Sequence, residues 1–129
     1  MLEEDYIMRV IHEMVATLLK LVFHIDLGKH DEMNFKNQDM AAAYARLLNL
    51  IEEGKINEAE NQLLDDLDAQ DIEYFKMSLL FYEHLNQKDS RFLEGCDFSK
   101  IEIVDGLKYV STIYGYDAMA EALLGRGSE

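Results

Sequence analysis

The sequence predicts an all-α fold of about six helices packed as antiparallel hairpins, either tetratricopeptide-like or as an irregular helical bundle. Two observations carry this expectation. Every strongly periodic stretch repeats its apolar residues at the three-or-four spacing of a helix, and none sustains the alternation of a half-buried strand. The 129 residues include no proline. Helix interiors exclude proline and loops favour it, so its absence suits helices joined by short connections.

The first helix is expected from about Glu3 to His24, with Ile7, Ile11, Met14, Leu18 and Leu21 in one stripe. Glu3, Glu4 and Asp5 suit the positive end of its dipole, and Lys20 and His24 the negative end. Its polar stripe, through Asp5, Arg9, His12, Glu13, Ala16, Lys20 and His24, is narrow. Tyr6, Met8, Val10, Val15, Leu19, Val22 and Phe23 widen the apolar part beyond the arc of a surface helix. Such a helix either runs through the middle of the domain or turns a spare face to a second chain. Its terminal position favours an outer place, so Tyr6, Val10 and Met14 are the expected exposed edge and homodimer interface, with Ile7, Ile11 and Leu18 kept for the core.

Gly28 is the expected stop, followed by a loop to Asn37. Asn37 or Asp39 caps a second helix to about Glu53 that turns Met40, Ala43, Tyr44, Leu47 and Ile51 inward, and Gly54 ends it. A third runs from Asn57 to Asp68 and buries Ile56, Ala59, Leu63 and Leu67, with Asn57 and Glu60 spaced as a capping box. These two form a hairpin. Asp71 caps a fourth helix to about Asn86, striped by Ile72, Phe75, Leu79 and Tyr82 with Phe81 and Leu85 beside it. Residues from Asn86 to Phe98 form a loop or a short turn of helix around Phe92 and Leu93. Ser99 and Glu102 are spaced as a second capping box, opening a fifth helix through Val104, Leu107, Val110 and Tyr114 to Gly115. Asp117 caps a short last helix through Met119, Ala120 and Leu123. Residues 1–124 are expected to form a single helical domain, and 125–129 a frayed tail.

At the hairpin, the run from Leu47 to Glu60 resembles a degenerate tetratricopeptide unit. Gly54, Ile56, Ala59 and Leu63 stand where such units place a turn glycine, an apolar residue, a packing alanine and a large apolar residue. The aromatic and proline positions of that pattern are not filled, and no second copy follows at its repeat length. The runs Glu3-Glu4-Asp5-Tyr6-Ile7-Met8-Arg9 and Phe98-Ser99 to Gly115 resemble a family of small, acidic bacterial proteins without an assigned function. That resemblance implies a bacterial cytoplasmic setting and carries over no catalytic or binding residue.

Twelve Lys and Arg oppose twenty-six Asp and Glu, a formal charge of −14. A nucleic-acid partner needs a basic stripe to displace counterions, and the cations here are scattered singly among acids. The same charge argues against an anionic membrane surface, and no uncharged run approaches the length that spans a bilayer. The N-terminus lacks the positive region of a secretory signal. The single cysteine, Cys96, cannot make an internal disulfide, which suits a reducing compartment, so a cytoplasmic location is expected.

His24, Asp26, His30, Asp31 and Glu32 gather possible metal ligands across the loop after the first helix, a mixture that suits Zn, Mn or Fe. No two of them share a helical face at ligand spacing, so a solvated loop with His24 serving the helix end outweighs a metal site. The acidic run Asp65, Asp66, Asp68, Asp71 and Glu73 fails as a calcium loop, because Asp71 and Met77 stand where such a loop needs glycine and glutamate. Cys96 lies between Glu94 and Asp97, without the neighbouring cations that activate a thiol. No nucleophile elbow, phosphate-cradling glycine loop or dinucleotide fingerprint is present, and no cofactor is expected. The tyrosines at helical spacing read as core and rim. The expected function is a non-enzymatic, self-associating module that binds a protein or peptide. A small-ligand or metal sensor using His24, Asp26 and His30 is the alternative. An enzyme whose dispersed carboxylates are gathered by the fold is the third class.

Overall fold

The computed structural model describes residues 2–28 and 35–124. Among them the chain forms seven helices and no strand: α1 (Leu2–Phe23), α2 (Gln38–Glu52), α3 (Ile56–Asp65), α4 (Ile72–Asn86), α5 (Ser90–Gly95), α6 (Lys100–Ile113) and α7 (Asp117–Leu124). The extra helix is α5, the short helical turn around Phe92 and Leu93. Asp89 opens it by accepting from the Phe92 amide at 2.8 Å.

Local chemistry sets most of the boundaries. Asn37 accepts from the amides of Asp39 and Met40 at 2.7 and 3.4 Å, and Asp71 from that of Glu73 at 3.1 Å. Gly54 and Gly115 take φ of 84° and 85°, the left-handed geometry that ends a helix. The end of α1 differs from expectation, because His24 itself turns left-handed at φ 59° ahead of Gly28. Its amide donates to Lys20 O at 3.0 Å and that of Ile25 to Leu19 O at 3.3 Å, which satisfies the last carbonyls.

Neither expected capping box closes. The turn at Gly54 is so tight that α3 restarts at Ile56 with Lys55 as its uncapped first residue. Asn57 therefore lies inside the helix, and its Nδ2 donates to the carbonyls of Cys96 and Asp97 at 3.4 and 3.2 Å. Glu60 turns instead to the Tyr82 hydroxyl. Ser99 does stand at the N-cap of α6 but makes no side-chain cap, and its Oγ bonds Glu102 Oε2 at 3.4 Å.

The core is organised around α4. Tyr74, Phe75, Met77, Leu79, Leu80, Phe81, Tyr82 and Leu85 are all buried and spread round its whole circumference, the pattern of a helix enclosed by others. α1 runs antiparallel to it, with Phe23 beside Phe75 and the Met8 carbonyl beside Asn86. α6 is antiparallel too, Tyr114 reaching Asp71 and Lys100 reaching Asn86. The α2–α3 hairpin covers another side, with Ile56, Ala59 and Leu63 fully buried. α7 folds back over α1 and α6.

That last packing corrects the expectation for helix one. With α4, α6 and α7 all against α1, Met14 is 0% exposed and belongs to the core, not to an exposed edge. Leu21, expected inward, is 56% exposed. Aromatic stacking closes the other end of the bundle. Phe75 stacks on Tyr114 at 4.6 Å and on Tyr116 at 5.5 Å, and the Tyr114 hydroxyl lies 2.6 Å from Asp68 O and 3.0 Å from Asp71 O.

Candidate functional site

A polar cluster sits at the C-terminal half of α4. Glu83 Oε2 accepts from Gln87 Nε2 at 2.7 Å and lies 2.6 Å from His12 Nδ1, on α1. Asn86, fully buried, donates through Nδ2 to Met8 O at 2.9 Å and lies 3.5 Å from Glu83 Oε1. Lys100, at the start of α6, donates to Lys88 O at 3.0 Å and also to Asn86 O. The Tyr44 phenol is pushed up to about 12 by its burial and then by the charge of Glu83.

A carboxylate beside an imidazole is the pairing used in general acid–base chemistry. Here Glu83 takes its hydrogen bonds from protein groups, and Lys100 caps the end of α4. The cluster thus fastens α1 and α6 to the central helix. Glu83, Asn86 and Lys100 were not separable in sequence from ordinary surface residues, since nothing local marks them as buried.

A different feature opens at the surface between α1 and α7. Tyr6, Arg9, Val10, Glu13 and Leu123 line an open depression of about 240 Å³. Tyr6 is 41% exposed and Val10 half-buried, so two of the three expected edge residues meet here. Arg9 and Glu13, one helical turn apart and both exposed, form no ion pair with another described residue. Neither they nor Leu123 stood out in the sequence, because their meeting depends on where α7 lies.

Of the candidate metal ligands, His24 and Asp26 lie among the described residues. His24 is exposed at the end of α1, and Asp26 Oδ1 accepts from Lys20 Nζ at 3.1 Å. His30, with Asp31 and Glu32, lies outside the described residues. Among those described, no group of three or more His, Cys, Asp or Glu could hold a metal ion. Asp71 is committed to capping α4. No described helix is long and apolar enough to cross a membrane.

No curated protein and no solved structure matches the chain. A family model does match, over residues 1–115. That span holds α1 to α6, including Tyr6, Arg9, Val10, Glu13 and the polar cluster on α4, and stops ahead of α7. The chain therefore belongs to DUF6483, a family of unknown function.

Proposed function

We propose that this protein is a non-enzymatic helical interaction module that self-associates, two copies meeting along the α1–α7 edge. The observation that carries this reading is the depression in which Tyr6, Val10 and Leu123 surround one cation and one anion without an ion-pair partner among the described residues. A chain of charge −14 repels its own copy, so contact between copies is favoured only where charge balances locally. Arg9 precedes Glu13 by four residues, the less favourable order for a pair within one helix. A two-fold axis across the edge would set each Arg9 against the partner's Glu13, and two-fold symmetry is the commonest in homo-oligomers. The tetratricopeptide-like α2–α3 hairpin serves as packing against α4 in this reading, and the acidic composition with one cysteine suits a bacterial cytoplasm.

Light scattering on a size-exclusion column at micromolar concentration tests it. The expected mass is twice 14.9 kDa, falling toward a single chain in Val10→Glu and in Arg9→Glu. Combining Arg9→Glu with Glu13→Arg should restore the dimer. A monomeric parent protein would overturn the reading.

A further inference from the structure

We infer that the outer face of α6 is a docking site for a basic, amphipathic helical segment of another protein. Ile101, Asp105, Tyr109 and Ile113 recur every four residues and so form one row along the helix, about 18 Å long at 1.5 Å per residue. Ile101 is 55% exposed, Tyr109 52% and Ile113 38%. Isolated exposed apolar residues are ordinary on any protein. An oblique row at this four-residue spacing is the ridge one helix offers the groove of another. The opposite side of α6, through Ile103, Leu107 and Val110, is already buried in the core, so this ridge is apolar surface beyond what the fold needs.

The charges beside the ridge specify the partner. Glu102 flanks it on α6, and Glu60 reaches it from α3, bonded at 2.8 Å to the Tyr82 hydroxyl that lies against Gly106. The Glu60 carboxyl is held above its usual range, mainly by burial and further by the charges of Glu102 and Asp105, against the opposing pull of the Tyr82 hydrogen bond. Asp105 within the row and Glu102 beside it thus both repel the Glu60 carboxylate, and a lysine or arginine placed there would relieve that repulsion. Lys108 borders the row on the edge away from Glu102 and leaves the α3 side acidic. A second copy of this face would double the repulsion, and phosphate groups of nucleic acid or anionic lipid would add to it. The surface therefore fits a helix with apolar residues every three or four positions and basic residues along one flank. It shares no residue with the depression between α1 and α7.

The test is a nuclear magnetic resonance titration of the full chain with three synthetic peptides: an amphipathic leucine–lysine helix, the same residues scrambled, and a leucine–glutamate helix. The leucine–lysine helix is expected to shift amides concentrated on 101–113 and at Glu60, and the other two peptides are not. Tyr109→Ser and Ile101→Ser, both at exposed positions, should each weaken binding about tenfold at unchanged melting temperature, as loss of an apolar anchor does. Asp105→Lys should weaken it as well. Shifts scattered over the acidic surface, or equal shifts with the scrambled peptide, would reduce the effect to bulk charge and overturn the assignment. A dimer that survives Val10→Glu but is lost in Tyr109→Ser would give the face to a second copy and overturn it equally.

Discussion

Tyr82 packs against the backbone of Gly106, and this contact shows how one missing side chain shapes the interior. A β-carbon at position 106 would stand 2.3 Å from the Tyr82 hydroxyl oxygen and 2.4 Å from Cζ, closer than such atoms approach. The ring cannot easily retreat, because Tyr82 is fully buried and its hydroxyl is tied to Glu60. Gly106→Ala is expected to cost about 1–3 kcal/mol through overpacking, read as a lower urea midpoint at unchanged slope. An unchanged midpoint would show that α6 can slide away from α4. Glu60 itself carries a pH signature. Its carboxyl is held above the ordinary value in the folded state, so the favourable contribution of the protonated form is complete below about pH 4 and is lost as pH rises through the folded value. Glu60→Gln keeps an acceptor for Tyr82 and removes the charge. Its melting temperature should exceed the parent's at neutral pH, with the advantage vanishing near pH 4, and a less stable variant at pH 7 would contradict this account.

Between elements, the most specific fastening is the end of α4. The last carbonyls of a helix lack internal partners, and that of Asn86, together with the Lys88 carbonyl just beyond the helix, receives the ammonium of Lys100, a side chain that is itself buried. One residue thereby caps one helix while starting another. Lys100→Met preserves much of the side-chain volume and removes the donor, leaving carbonyls unsatisfied in a buried place at a cost of about 1–3 kcal/mol. Hydrogen exchange is the discriminating readout, since protection should fall first in the last turn of α4. Uniform loss along all helices would mean that the lysine supports the fold generally and not this junction.

For the whole molecule, the central position of α4 has a consequence for unfolding. α1, α2 and α6 each lay their apolar faces on it, and α7 packs on α1 and α6, so removing any one strips cover from the same helix. The described helices are expected to unfold together. Far-ultraviolet circular dichroism and tyrosine fluorescence should then report one coincident transition in urea. An early, separate loss of helix would identify the α2–α3 hairpin or α7 as an independent unit.

The amino-acid sequence alone determined what depends on a few neighbouring residues. Asn37 and Asp71 cap their helices and Gly54 and Gly115 end theirs, because a cap needs an acceptor within three residues and a left-handed turn costs least in a residue without a β-carbon. The helical class followed from periodicity and the absence of proline. Rank among the helices was decided only in three dimensions. In sequence α1 read as the broadly apolar helix and α4 as a striped one, yet α4 became central because the hairpin, α1 and α6 all close on it, while the packing of α4, α6 and α7 on α1 buried Met14 and left Tyr6 and Val10 at an open edge. The buried polar groups were hidden for the same reason. His12 and Glu83 are 71 residues apart in the chain and Asn86 and Met8 are 78, and no local pattern encodes a partner at that distance.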